Sequence, residues 1–280
     1  MITDLHTHTN ASDSNLSREQ LLLLAHSLGV DRVAITDHDT MFNSYRGEGD
    51  PVDVIIGCEL STFDVQSGCR VHLLCYEPVD RSALDEHFAQ MRLQRIRAAD
   101  GMIEKIGRLY PVVSQSSVAR YRTPEGNLFK QGIMSVLCEY GYAGELFGDL
   151  YKQLLGSGTG SCRVPLKYED ATNMARIARE SGATVVLAHP SVYHNMPVAY
   201  RLCSMKLLDG IEIEHPRNTQ ADKQALRELC SQHSLLMTGG SDYHGLNNRL
   251  GMQMGKYLTD DDTCDRILHR AKNKQGETNS

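Results

Sequence analysis

A chain of 280 residues with 41% hydrophobic content can bury one full core without a second independent domain. Its net charge of −6 argues against a broad polyanion-binding surface, so any nucleic-acid or phosphate contact is expected to be local and metal-assisted. Eight cysteines without a CxxC pair, a start that is strand-like rather than a signal peptide, and no apolar run of about 20 residues point to a reduced, cytoplasmic protein with no membrane partner.

The first expected strand carries Asp4-Leu5-His6-Thr7-His8, with Asp13 in the loop beyond it. Side chains alternate along a strand, so His6 and His8 face the same way and can close on one cation. Ser17-Arg18-Glu19-Gln20 has the form of a capping box, and Leu21, Leu24, Ala25 and Leu28 make an apolar helical stripe that Gly29 ends. A strand over Arg32–Thr36 runs into Asp37-His38-Asp39. Another over Val52–Ile56 leads through Gly57 to Glu59, and Arg70–Tyr76 carries His72. Cys58 should face away from Glu59, as core filler.

Residues 82–165 interrupt this rhythm. A long helix over Leu84–Arg108, an ambiguous stretch over Val112–Arg122 and helices over Phe129–Tyr140 and Glu145–Leu155 suggest a helical insertion capping a barrel mouth. Gly156-Ser157-Gly158-Thr159-Gly160-Ser161 reads as its flexible return. The rhythm then resumes. Helix Asp170–Ser181 precedes strand Thr184–Ala188 and His189. Strand Gly210–Glu214 precedes His215. Helix Thr219–His233 precedes strand Leu235–Thr238, from which Gly239-Gly240 leads to Asp242 and His244. The segment from Ala271 is polar and expected to fray. Nearly every strand thus finishes on a metal-competent side chain, and in α/β barrels functional residues gather at strand ends. His26, His87, His233 and His269 fall in helices away from these motifs and read as structural or surface residues.

In order, Asp4-Leu5-His6-Thr7-His8, Ile35-Thr36-Asp37-His38-Asp39, Gly57-Cys58-Glu59-Leu60-Ser61, His72, Ala188-His189-Pro190 and Gly240-Ser241-Asp242-Tyr243-His244 resemble the successive motifs of the PHP (polymerase and histidinol phosphatase) metal-dependent phosphoesterases, an amidohydrolase-like family. The resemblance implies an α/β fold, a distorted (β/α)7-type barrel over residues 1–81 and 166–272. The helical insertion would occupy 82–165 and a frayed tail 273–280. It also implies two to three divalent cations, manganese, iron or zinc. His6, His8, Glu59 and Asp242 would hold one. Glu59, His72 and His189 would hold a second, and Asp13, His38 and His244 a third. The chain departs from the family pattern at Ser14, where relatives commonly have glycine. It departs again at Lys130-Gln131-Gly132-Ile133, where many have a basic residue followed by Pro and His.

Closely spaced divalent ions lower the pKa of a bridging water and neutralise phosphoryl oxygens. The expected function is therefore hydrolysis of phosphate esters of small phosphorylated metabolites, nucleotide or sugar phosphates or cyclic phosphodiesters, with Glu59 and Asp242 at the catalytic centre. His215 and His194 are candidates to protonate the leaving oxygen, and Asp37 or Asp39 could orient an imidazole or cap a loop. Arg95, Lys130 and Arg163 are the candidate substrate-binding cations. The alternatives are a 3',5'-nucleotide bisphosphate phosphatase or oligoribonucleotide exonuclease, a histidinol phosphatase, and a catalytically silent regulatory module.

Overall fold

A computed structural model describes residues 1–248 and 252–278. Strand β1 (Thr3–Thr7) is followed by helix α1 (Arg18–Ser27) and strand β2 (Arg32–Ile35). The Ser17–Gln20 capping box forms as the sequence suggests; Leu21, Leu22 and Ala25 are buried, and Leu28 is exposed. Strands β1, β2 and the start of β3 (Asp53–Asp64) pair in parallel. The all-parallel pattern then breaks. β3 runs on for 12 residues and pairs antiparallel with β4 (Cys69–Tyr76), which in turn pairs antiparallel with β6 (Thr184–Leu187). Parallel pairing resumes through β7 (Gly210–Glu214) to β8 (Leu236–Gly239). Glu59 and His72 therefore lie inside a β-hairpin rather than at strand ends.

The sheet comes round on itself. Thr7 bridges Tyr243 in parallel, and the amides of Asp242 and His8 donate to the carbonyls of His6 and Tyr243 at 2.8 and 2.9 Å. The result is the distorted, nearly closed barrel that the motifs imply. Alternation divides each strand face by height: Ile55 shares the face of Glu59, and Leu74 and Tyr76 share that of His72. The apolar members of this set join Leu5, Ala34, Val186 and Leu236 in a buried cluster, against which Cys264 and Ile267 of the last helix, α9, pack. Helix α9 spans Asp261–Thr278 and so continues through most of the segment expected to fray. Asn279 and Ser280 lie outside the described residues. The outer core is built by α6 (Ala171–Glu180), α7 (Met196–Ser204) and α8 (Gln220–His233).

Between β4 and the two-residue strand β5 (Glu169–Asp170) lie α2 (Ser82–Leu109), α3 (Gln115–Val118), α4 (Lys130–Glu139) and α5 (Asp149–Leu155). The ambiguous stretch resolves into α3 and a 3-10 turn over Ala119–Tyr121. These helices bury their own apolar cluster, including Ile106, Val118, Ile133 and Leu155. The glycine-rich return is a tightly bonded turn rather than an open linker. Gly160, Ser161 and Cys162 donate to the carbonyls of Gly156, Gln153 and Leu154, and a Cβ at Gly160 would lie 2.6 Å from the Gly156 nitrogen.

Candidate metal centre

The deepest group of ligand atoms comes from two strands and the turns beyond two strand ends. His6 Nε2 of β1 and His8 Nε2 just past its end lie 3.3 and 3.4 Å from Glu59 Oε2 of β3, and 3.5 and 3.2 Å from Asp242 Oδ1 beyond β8. Four ligands about 2.1 Å from a tetrahedral ion stand roughly 3.4 Å apart, which these separations match. Glu59 also faces the hairpin. Its Oε1 is 2.6 Å from His72 Nδ1 and 2.8 Å from His189 Nε2, while Oε2 is 3.2 Å from His38 Nδ1. His38 reaches Glu59 because pairing continues past β2: the Asp39 amide donates to the Glu59 carbonyl and the Glu59 amide to that of Asp37.

A third group is held by loops. Asp13 Oδ1 lies 3.0 Å from His244 Nε2, 3.8 Å from His38 Nε2 and 3.9 Å from His8 Nδ1. The structure thus brings all nine expected ligands together, with His8, His38 and Glu59 each belonging to two groups. The middle group is His38, Glu59 and His72, with His189 against Oε1 of Glu59 beside His72.

The donor set fits cations. His6 Nε2, His8 Nε2, Asp13 Oδ1, His38 Nδ1, Glu59 Oε2, His72 Nε2 and His189 Nδ1 are all buried without a hydrogen bond. Orphaned buried polar atoms are costly, and imidazole nitrogens with carboxylate oxygens suit divalent transition metals. Burial pushes the carboxyls of Glu59 and Asp242 up. Surrounding imidazoles outweigh it, and both are held well below the ordinary carboxylate range. Burial also lowers His72 and takes His38 down to about 3, against the pull of Glu59. Against the same burial, the neighbouring carboxylates raise His6, His189 and, to about 10, His244, so these imidazoles would have to give up a proton to a cation, since ionised carboxylates and neutral imidazoles are the ligating forms.

Residues 4–242 match the PHP domain family. The chain belongs to that family. It is 33% identical over 257 residues to the phosphoribosyl 1,2-cyclic phosphate 1,2-diphosphodiesterase of Eggerthella lenta, across 89% of this chain and 97% of that protein. The 5'-3' exoribonuclease Rnm of Escherichia coli is 28% identical, across 87% of this chain and 85% of its own. Among solved structures, a Bifidobacterium adolescentis protein assigned as a metal-dependent phosphoesterase superposes with a TM-score of 0.84 at 26% identity, covering 96% of each chain.

Behind the ligands of this PHP centre sit groups that orient them. Glu212 Oε1 is 2.9 Å from His6 Nδ1, and Oε2 accepts from the His189 amide at 2.8 Å. Glu212 carries no motif of its own, although alternation in Gly210-Ile211-Glu212-Ile213-Glu214 places it opposite the two buried isoleucines. His215 is fully buried. Its Nδ1 accepts from the Arg217 amide at 3.1 Å, which leaves Nε2 to face Asp242 Oδ2 at 3.4 Å. It is therefore placed to orient Asp242 rather than to reach a leaving oxygen. His194 is exposed at the end of the 3-10 turn Pro190–Tyr193 and is not brought to the cleft. Asp37 takes the loop-capping role, accepting from the amide and hydroxyl of Thr9 and the hydroxyl of Ser12.

A cleft opens above the PHP centre, walled by Arg70, Arg95, Lys130 and Arg163 together with Phe129, Tyr151, Tyr168 and Tyr193. The three expected substrate cations are all here, but Arg95 is committed: it ion-pairs with buried Asp39, donates to Ser61 Oγ at 3.2 Å and lies 4.8 Å over the Phe129 ring. His87, expected to be remote, lies 3.8 Å from Asp39. Lys130 donates to the Leu155 carbonyl at 2.9 Å. Burial, with Arg163 and Arg70 nearby, lowers its pKa to about 8. Arg70 likewise carries no motif of its own. Two residues before His72 on the same strand face, it donates to the Tyr168 hydroxyl at 2.8 Å, and its guanidinium lies 4.8 and 5.7 Å from the Tyr168 and Tyr193 rings.

Proposed function

We propose that the chain hydrolyses phosphate esters of small phosphorylated metabolites, acting first on substrates that carry a second phosphate, such as a phosphorylated sugar cyclic phosphodiester or a nucleotide bisphosphate. One observation carries this reading. The orphaned ligand atoms lie beneath a cleft whose wall presents Arg70, Lys130 and Arg163, none of them with a carboxylate in ion-pair distance among the described residues. Two to three manganese, iron or zinc ions on the nine ligands would supply a Lewis acid and a nucleophilic water at neutral pH. The protein's own residues do the rest. Glu59 and Asp242 hold the cations, Glu212 and His215 fix His6 and Asp242, and the three wall cations grip the non-reacting anion. Segment 82–165 acts as the cap that supplies Lys130 and Arg163. All eight cysteines are free thiols, which fits work in a reducing compartment, and no described helix is long and apolar enough to cross a membrane.

The test is metal analysis of the purified protein, with chromatography of the hydrolysis products, phosphate included, from a panel holding 5-phosphoribosyl 1,2-cyclic phosphate, nucleoside 3',5'-bisphosphates, histidinol phosphate and short RNA. We expect two to three bound equivalents, loss of turnover in chelator and fastest release from the small doubly phosphorylated esters. Arg163→Met should raise KM for the best of these about ten- to a hundredfold without changing metal content. Absence of bound metal, with no hydrolysis product from any ester, would overturn the reading.

A further inference from the structure

The three ligand groups are not held alike. The inner two draw on the strand residues His6, Glu59 and His72 and are braced by Glu212, a barrel residue. The outer one rests on loop residues Asp13, His38 and His244, and its one carboxylate is gripped from the insertion: Gln131 Nε2, in the first turn of α4, donates to Asp13 Oδ2 at 2.9 Å. The other oxygen, Oδ1, is thereby turned toward the imidazoles, where it is buried without a hydrogen bond. Apart from the imidazoles of His244, His38 and His8 that Oδ1 faces, the other described side-chain contact to Asp13 is from Asn247 Nδ2 to its main-chain carbonyl at 2.7 Å, so Gln131 is the group that holds Oδ2.

Gln131 is itself well placed to act as a fixed point. The next residues, Gly132, Ile133 and Met134, are buried, and a Cβ at Gly132 would lie 2.7 Å from Leu128 and 2.8 Å from Tyr121, so the first turn cannot shift without displacing its neighbours. Its amide is also neutral. A lysine or arginine there would cancel much of the carboxylate's attraction for a cation, whereas an amide donor orients the group and leaves its charge.

Resting on the phosphoesterase reading, we propose that Gln131 is a positioning residue for the outer cation, so that the helical insertion, and not the barrel alone, sets the affinity of that site. The same turn presents Lys130 to the cleft, so the substrate-gripping and cation-orienting groups ride on one rigid element.

Manganese titration of the chelator-stripped full-length protein, followed by calorimetry or by the electron paramagnetic resonance of free Mn2+, tests this directly. Wild type should bind three equivalents. Gln131→Met, which keeps the shape and removes the donor, should weaken one equivalent by about 10- to 100-fold and leave the other two unchanged. Gln131→His, whose Nε2–H projects a similar distance, should restore the affinity. The melting temperature of the stripped protein should be the same in all three. An unchanged third equivalent in Gln131→Met, equal weakening of all three equivalents, or failure of the histidine variant to restore it would each overturn the inference. A wild-type protein with two equivalents and full activity would overturn it while leaving the phosphoesterase reading intact; one with neither metal nor activity would take both.

Discussion

Glu59 is the residue on which the most depends, because its two oxygens face five imidazoles: those of His6, His8 and His38 on one side and His72 and His189 on the other. Glu59→Gln removes a charge that two cations would share, whereas Asp37→Asn loosens only the capped loop around Thr9 and Ser12. We expect metal content and kcat to fall further in Glu59→Gln than the roughly 10- to 100-fold of an outlying contact, and Asp37→Asn to stay within that range. Equal losses in both would show that Glu59 is not shared. Lys130 predicts a pH dependence whose sign differs for stability and for binding. Below about 8 the ammonium is charged in folded and unfolded chains alike and its burial costs stability. Between about 8 and the ordinary 10.5 the folded chain binds fewer protons than the unfolded one, so this residue's contribution to stability rises with pH. Anion binding runs the other way. KM for a doubly phosphorylated ester should climb above pH 8, and Lys130→Arg should flatten that limb of the profile.

At the scale of elements, the turn after β8 packs directly on β1. A Cβ on Gly240 would lie 2.2 Å from His6 Cβ and 3.0 Å from Glu212 Oε1, so Gly240→Ala must displace the ligand, its strand or both. Overpacking of this kind costs about 1–3 kcal/mol, and a fall in melting temperature together with loss of the innermost metal equivalent should follow. The cap offers a contrast. Arg95→Met strands the buried Asp39 carboxylate and should cost about 3–5 kcal/mol in denaturant unfolding, with a smaller change in KM than Arg163→Met. Most of the nine candidate ligands were legible because they stand in short motifs in or just beyond a strand, where period-two alternation assigns a face; Asp13, in a loop, was legible only from its place after the His6–His8 pair. The β3–β4 hairpin was not, since β-branched runs look alike in parallel and antiparallel pairing. Residues that act by long-range contact left the weakest trace. Gln131 and Asp13 are 118 positions apart, and nothing local to either marks the bond. Arg70 and Glu212 could have been found by counting twos from His72 and along β7.

For the whole molecule, the order of ligands along the chain matters as much as their identity. The inner cation site draws on β1 at one end of the sequence and the turn after β8 at the other. Cations bound there bridge the two ends and favour the folded state by mass action. Adding manganese to stripped protein should raise the melting temperature, more at higher metal concentration, and an unchanged melting temperature would mean that the site does not close on metal.

The seam between β1 and β8 joins groups 237 residues apart, as the Ser241 amide does when it donates to Asp4 Oδ1 at 2.9 Å. Contacts of such sequence separation form late, because the closure entropy of the intervening chain must be met before they contribute. A ribosome-bound chain holding His6, His8, Glu59 and even His189 still lacks Asp242 and His244, so on the proposed ligand set it would close its inner cation site only after its last strand is released. In refolding from denaturant, metal uptake should therefore coincide with the slowest phase of barrel formation, and tight binding within the initial burst would show that the ligands assemble before the ends of the chain have met.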